Sequence, residues 1–360
     1  MSAKGRVLVG MSGGVDSSVT AALLREQGWD VTGAFVCMGR AADADGGSGC
    51  CSAQDAADAR RVAGLLGIDL FVLDATRDFE RVIEAFAAEY AAGRTPNPCI
   101  GCNRDVKLGR LLARARDLGF DAVATGHYAR AVTAGGRPAI ARARAAGKDQ
   151  SYVLFELPAA ALGRLLLPLG EAESKAEVRA HARRLGLPVA EKPDSQEICF
   201  VPDGDYAAGL AARAPAALTP GPIVDEAGRE VGRHQGYARY TVGQRRGLGA
   251  LGPTPRYVTG IDAASAAVRV GERAATAAGG LMAGRATWHA APPAGARVEV
   301  QIRSHARPAP ARLGAVSGSG FEAAFEAPVE AVTPGQAAVV YDGEVLLGGG
   351  WIERSLPPAG

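Results

Sequence analysis

Over its first two hundred residues the chain alternates short apolar runs with helical patterns, and this alternation limits the possible folds more than any other feature. A strand, a helix and a second strand running the same way need a crossover connection. The pattern therefore predicts an α/β fold with a parallel sheet and helices on its faces. RVLVGM, VTGAFV, DLFVL and DAVAT are the strands. Between them, a helix is expected from Ser17 to Gln27, closing at Gly28. Phe79, Val82, Ile83 and Phe86, at i, i+3, i+4 and i+7, give one apolar helical stripe. A later helix is expected from the capping box Ser174-Lys175-Ala176-Glu177 to about Gly186-Leu187-Pro188.

From about residue 205 the character changes. GPIVDEAGREVG, HQGYARYTVGQRRGLG and RYVTGID read as short alternating strands separated by glycine turns. Beyond the Ala/Gly stretch 274–284, ARVEVQIR, FEAAFE, QAAVVY and EVLLGGG read as the strands of a small barrel. The expected domains are an α/β domain over 1–205, a central β-rich domain over 206–280 and a C-terminal β-barrel over 281–360. No internal repeat is present.

Composition narrows the function classes. A chain of 360 residues is too long for one core, and its 48 glycines and 21 prolines stay below the level of low-complexity chains. No uncharged run exceeds eleven residues, against the roughly 20 that a membrane helix needs. The N-terminus runs straight into a strand without a secretory segment, so a cytoplasmic protein with no membrane partner is expected. Six cysteines, Cys37, Cys50, Cys51, Cys99, Cys102 and Cys199, are too few for a disulfide scaffold. Net charge is only +2, so a nucleic-acid partner would have to be met by a local patch.

The strongest local motif is Gly10-Met11-Ser12-Gly13-Gly14-Val15-Asp16-Ser17-Ser18, between the first strand and the first helix. Glycines let a ligand approach the backbone N–H groups, and the helix N-terminus adds partial positive charge, which together make a phosphate cradle. The motif lacks the Gly-Lys-Ser/Thr of a Walker A loop and the spacing of a dinucleotide fingerprint. Asp16 suits either a Mg²⁺ contact or a helix N-cap.

A second motif, Thr95-Pro96-Asn97-Pro98-Cys99-Ile100-Gly101-Cys102-Asn103, leads into a helix rich in Leu and Arg. A thiol at that helix start would have a lowered pKa, as a nucleophile needs. The spacing also suits a zinc half-site completed by Cys50 and Cys51, or a redox pair. The third motif is Lys192-Pro193-Asp194-Ser195-Gln196-Glu197-Ile198-Cys199-Phe200, in which Cys199 taken alone reads as a buried core thiol.

Taken together and in order, GMSGGVDSS, GRTPNPC-x-x-CN, ATGHYAR, GKDQSYVL, DSQEICF, TVGQRRGLG and VTPGQAAV resemble the tRNA-specific 2-thiouridylases, a family of the pyrophosphate-loop ATPases, over almost the whole chain. The resemblance implies thiolation of the wobble uridine, with ATP and Mg²⁺ as cofactors and with tRNA and a cysteine desulfurase or relay sulfur donor as partners. It makes Cys102 the nucleophile and Cys199 the persulfide carrier, the two closing a disulfide during turnover. It places ATP on Gly10, Met11, Ser12, Gly13, Gly14, Val15, Asp16, Ser17, Val36 and Gly126. Contacts to tRNA are implied at Asn97, Pro98, Cys99, His127, Lys148, Asp149, Gln150, Arg303, Ser304 and Gln336. Arg239, Arg245 and Arg246 suit either RNA phosphates or a solvated face.

Two positions depart from the family. Cys99 stands where many members carry Asp, which puts the acid/base assignment in doubt and opens an alternative in which Cys99, Cys102 and Cys199 hold an iron–sulfur cluster. The persulfide route is the reading adopted. Leu108 stands where an aromatic is common, and altered packing is the expected consequence. Two other readings are a small-molecule adenylating ligase or amidotransferase and a non-catalytic, nucleotide-gated RNA-binding or metal-sensing protein. The first of these would not need Cys102 or Cys199.

Overall fold

The computed structural model describes residues 4–39, 52–193, 199–201 and 209–358. Cys50, Cys51 and the stretch 194–198 of the third motif lie outside the described residues. Internal contacts divide the chain into two compact units, one of residues 1–82, 99–202 and 344–346, the other of 83–98, 203–343 and 347–360.

The first unit opens with β1 (Arg6–Gly10), α1 (Val15–Glu26), β2 (Asp30–Cys37), α2 (Ala53–Leu66), β3 (Leu70–Asp74) and the start of α3 (Thr76–Ala91). The helical run α4 (Pro98–Gly101), a π-helical segment Cys102–Lys107 and α5 (Leu108–Asp117) then leads to β4 (Ala122–Ala124). A hairpin of β5 (Ala129–Ala134) and β6 (Arg137–Arg142) is followed by α6 (Ala159–Leu162), β7 (Leu165–Leu166) and α7 (Lys175–Arg184). The sheet is wholly parallel, in the order β3-β2-β1-β4-β7. Val7, Leu8 and Val9 of β1 are fully buried, as a strand covered on both faces requires. Phe79, Val82, Ile83 and Phe86 of α3 are all buried, so the apolar stripe is the core-facing side of a helix.

The β5–β6 hairpin has no apolar-run signal in the sequence because its strands are short on large apolar residues. Its signal is the pair Gly135-Gly136, both at positive φ (56° and 75°), as a two-residue hairpin turn demands. The capping box of α7 is half formed. Ser174 Oγ accepts from Glu177 N at 3.2 Å, while the Glu177 carboxylate accepts from Glu173 N at 2.8 Å.

The second unit holds a four-stranded sheet and a barrel. The sheet contains β8 (Gly221–Val224), β9 (Glu230–His234), β10 (Tyr257–Asp262) and β11 (Ala267–Gly271), in the order β10-β11-β8-β9. HQGYARYTVGQRRGLG forms no strand beyond His234, because Gly236, Gly243, Gly247 and Gly249 all take positive φ and break an extended run. The barrel strands are β12 (Ala277–Trp288), β13 (Arg297–Gln301), β14 (Ala309–Val316), β15 (Gly320–Glu330), β16 (Ala337–Asp342) and β17 (Val345–Leu356). They run in the order β12-β15-β14-β13-β16-β17, and pairing of β12 with β17 closes the ring. The Ala/Gly stretch 274–284 thus supplies most of a barrel strand. Its small residues suit close backbone approach: a Cβ on Gly280 would lie 2.5 Å from the Ala323 carbonyl oxygen.

Among the described residues no helix is long and apolar enough to cross a membrane. Leu281, fully buried in the barrel core, gives a direct check on the packing. Leu281→Ala should lower stability by about 2–5 kcal/mol, read as a lower denaturant midpoint at unchanged slope.

Candidate nucleotide and sulfur-transfer site

The chain builds β1, β2 and β3 outward on one side of the sheet, then crosses to place β4 on the other side of β1. This reversal leaves a crevice at the carboxyl ends of β1 and β4, the place where open parallel sheets bind ligands. Gly10 ends β1, Val36 lies near the end of β2, and Gly126 and His127 follow β4. The expected nucleotide residues therefore gather at one edge of one sheet. A Cβ on Gly126 would come within 2.9 Å of the backbone at Asp16 and Ser17, so the approach of the β4 turn to the loop depends on glycine there.

The loop is held by its own hydroxyls. Ser17 Oγ accepts from Ser12 N at 3.1 Å and donates to Gly14 O at 3.2 Å, and Ser18 Oγ donates to Gly14 O at 2.8 Å. Gly13 has φ +77°, and a Cβ there would meet the Asp55 carbonyl oxygen at 2.2 Å, so both its conformation and its surroundings require glycine. Gly14, the N-cap of α1, has ordinary extended angles, and a Cβ there would meet no atom nearer than 3.6 Å.

Charge on the loop is balanced by two lysines that no sequence motif marks as functional. Asp16 lies in the first turn of α1 rather than at its N-cap. Its carboxylate accepts from Lys175 Nζ at 2.7 and 2.8 Å and from the Tyr128 hydroxyl at 2.9 Å. Lys192 Nζ donates to Gly13 O at 3.1 Å, Asp55 Oδ1 at 2.6 Å and Asp58 Oδ2 at 2.8 Å. Burial alone would depress the Lys192 ammonium, but its bonds to Asp55 and Asp58 outweigh this and hold its pKa above the usual range. For Asp58, burial works upward and is outweighed by the bond from Lys192, so its carboxyl titrates below the usual range. In sequence, Lys175 is visible only as part of a capping box, and Lys192 only as the first residue of the third motif.

The cysteine helix starts earlier than the sequence suggests. Pro98 occupies its first position, where a missing N–H costs nothing, so Cys99 falls in the first turn and Cys102 opens the π-helical segment a turn later. Cys102 therefore lies inside the helical run rather than at its start, where the sequence alone places it. Cys102 is buried, Cys199 partly buried and Cys99 exposed. Next to Cys102, Asn103 donates from Nδ2 to Val153 O at 3.2 Å, and its buried Oδ1 has no hydrogen-bond partner among the described residues. Phe200, following Cys199, packs edge-on against Phe79 with ring centres 5.7 Å apart. Leu108 is fully buried, in keeping with a packing role.

His127 Nδ1 lies 2.8 Å from Thr125 Oγ1. Burial, helped by the Lys107 ammonium, pushes its pKa down to about 3, so the imidazole is neutral at any physiological pH. Of the implied segment 148–150, Asp149 is committed to structure: it accepts from Ala143 N at 2.9 Å, Ser151 N at 3.2 Å and Ser151 Oγ at 2.8 Å. Gln150 Oε1 accepts from Tyr128 N at 2.9 Å, which steadies the turn bearing His127. Lys148 is exposed.

Asn97, Pro98, Arg303, Ser304 and Gln336 belong to the second unit. There the loop at Thr95 docks on the loop at 333–336: Thr95 N donates to Pro334 O at 3.0 Å and Gln336 Nε2 to Thr95 O at 2.8 Å. Arg303 Nη2 donates to Val242 O, Ala331 O and Thr333 Oγ1 at 2.8–3.1 Å, so its guanidinium braces these loops. Ser304 O accepts from Gln301 Nε2 at 2.8 Å. Arg239, Arg245 and Arg246 are exposed.

Among the described residues no three His, Cys, Asp or Glu side chains converge to hold a metal. Cys99, Cys102 and Cys199 do not form such a group among the described residues. A single loop carboxylate, Asp16, fits a divalent cation that is carried mainly by a nucleotide's own phosphates.

A glycine cradle without a Walker lysine, seated at the switch point of a parallel sheet, defines a phosphate-binding α/β protein. Residues 5–203 match the tRNA methyl transferase HUP domain, 210–272 the tRNA methyl transferase PRC-barrel domain and 278–352 the aminomethyltransferase beta-barrel domain. The chain is 52% identical over 355 residues to the tRNA-specific 2-thiouridylase MnmA of Chloroflexus aurantiacus, covering 97% of this chain and 98% of that protein. It is 49% identical to its counterpart in Roseiflexus castenholzii, covering 97% and 99%, and 46% identical to that in Geobacter metallireducens, covering 98% of each. The chain belongs to the tRNA-specific 2-thiouridylase MnmA family.

Two outcomes follow from the site geometry. Gly14→Val should leave the protein folded yet block phosphate approach, so ATP binding by calorimetry should be lost at a nearly unchanged melting temperature; unchanged binding would refute the cradle. Because His127 resists protonation in the folded state but not in the unfolded one, the unfolded chain binds more protons between about pH 3 and 6.5. Stability contributed by neutral His127 is therefore present above that window and lost as pH falls through it. In His127→Gln, the drop in melting temperature between pH 7 and pH 5 should be smaller than in the parent protein.

Proposed function

We propose that this chain replaces O2 of a tRNA wobble uridine with sulfur at the expense of ATP. The observation that carries the reading is that the glycine cradle, Cys102, His127 and Cys199 all lie in one compact unit of a chain 52% identical, nearly end to end, to a tRNA-specific 2-thiouridylase.

In the first step the uridine O2 attacks the α-phosphorus of ATP and the bond to the β-phosphate oxygen breaks, giving an O-adenylated base and pyrophosphate. The loop N–H groups and the start of α1 stabilise charge on the departing pyrophosphate. Mg²⁺ held on the phosphates, with Asp16 as the protein's carboxylate, would neutralise part of that charge. His127, neutral and weakly basic, serves to orient the base by hydrogen bonding rather than to take its proton. When the Thr125 hydroxyl donates to Nδ1, the Nε2 proton is available to a carbonyl oxygen.

In the second step the terminal sulfur of a persulfide on Cys199 attacks C2 and AMP leaves. The Cys102 thiolate then attacks Cys199 Sγ, the S–S bond to the transferred sulfur breaks, and 2-thiouridine is released with a Cys102–Cys199 disulfide left behind. A cellular dithiol reductant restores the two thiols, and a cysteine desulfurase or its relay reloads Cys199. Cys99 borders the target base, which must leave the anticodon stack at a cost of about a few kcal/mol. Lys148 in the first unit and, separately, Arg303, Ser304 and Gln336 in the second contribute contacts to tRNA, Arg303 and Gln336 through the loops they brace. The reading places the protein in the cytoplasm, where its substrates are found.

The cysteines test this scheme. Cys102→Ser and Cys199→Ser should each retain ATP binding and lose 2-thiouridine formation, measured by mass spectrometry of digested tRNA, because a hydroxyl can neither carry sulfane sulfur nor form the disulfide. Cys99→Ser should cost much less. Equal loss in all three variants, with iron and labile sulfide in anaerobically purified protein, would overturn the persulfide route.

A further inference from the structure

We infer that Lys175 and Lys192 form the cationic half of the pyrophosphate site, and that Asp16, Asp55 and Asp58 occupy them in the nucleotide-free protein as stand-ins for phosphate oxygens. The inference rests on the ATP reading above and adds to it the residues that would receive the leaving group.

The loop itself carries no cation. Its one charged side chain is Asp16, and Asp55 and Asp58 lie beside it through Lys192, so three carboxylates surround a site meant for a polyanion. Backbone N–H groups and one helix terminus supply only partial charges. Cleavage between the α- and β-phosphates moves further negative charge onto the departing pyrophosphate, and that charge needs a full positive counterpart. The two ammonium groups that touch the loop meet this need. Lys175 reaches Asp16 in the first turn of α1, and Lys192 reaches the Gly13 carbonyl within the glycine pair. Both are largely withdrawn from water, with side-chain exposures of 15% and 27%.

Both lysines are also held from one element. Lys175 is the first residue of α7, and Arg179 of the same helix donates to Ala190 O at 2.5 Å and Lys192 O at 2.9 Å. The backbone at Lys192 is thus fixed while its four-carbon stem can move. A lysine ammonium is a rotatable point charge and can exchange a carboxylate oxygen for a phosphate oxygen with little loss. The exchange also releases Asp16 toward a phosphate-bound cation.

The test is equilibrium binding of ATP and of inorganic pyrophosphate to the full-length protein by titration calorimetry, with melting temperature recorded for every variant. Lys175→Met should weaken pyrophosphate binding roughly tenfold or more, the loss of one charge-assisted contact. Lys175→Arg should recover part of it. Asp58→Asn should strengthen pyrophosphate binding, because it removes a competitor for Lys192. A purely structural Lys192–Asp58 pair predicts the opposite, weaker binding together with a lower melting temperature. If Lys192→Met fails to fold, the Lys175 and Asp58 variants still decide the matter. Pyrophosphate affinity within twofold of the parent in Lys175→Met, or weakened in Asp58→Asn, would overturn the inference. A parent protein that binds neither ATP nor pyrophosphate would instead overturn the ATP reading, and this inference with it.

Discussion

The turn from β1 into α1 is the constraint on which the rest of the first unit depends. It turns from a strand into a helix N-terminus through Gly13 and Gly14, with little regular hydrogen bonding. Hydroxyls supply what the turn lacks: Ser17 and Ser18 bond back to Gly14 and Ser12 in place of a ladder. Glycine at 13 and 126 lets α2 and the β4 turn approach within contact distance, and a methyl at either place would meet backbone below 3 Å. The cradle is thus built by neighbours that come close because Gly13 and Gly126 have no side chains.

That closeness has an electrostatic consequence. Asp16, Asp55 and Asp58 are each held by a lysine that comes from far along the chain, in α7 or just beyond it. Such partly buried pairs contribute modestly to stability, and their geometry matters more for what they hold in readiness. Carboxylates and cations are already arranged in pairs around the glycine loop. Arg303, Gln336 and Asp149 follow a different principle. Arg303 and Gln336 spend their hydrogen bonds on the loops at 242, 331–333 and 95, and Asp149 spends its carboxylate on the turn at 143–151. What these side chains do in the fold is hold loops in shape.

Sequence alone determined the elements whose signals are local. The parallel-sheet strands are visible as apolar runs, α3 as a 3.6-residue stripe, and the phosphate loop as glycines between a strand and a helix. The ordered motifs over almost the whole chain point to the 2-thiouridylase family. What only the tertiary structure decided was set by partners distant in sequence. The β5–β6 hairpin and the strand at 277–288 are poor in large apolar side chains and form because neighbouring strands complete their hydrogen bonding. The helix before Cys102 begins at Pro98 because proline fits a first helical position, which puts Cys99 rather than Cys102 in its first turn. Lys175 and Lys192 look like a cap neighbour and a loop residue, since the carboxylates they pair with lie 159, 137 and 134 positions away, a distance at which residue type and spacing carry no information.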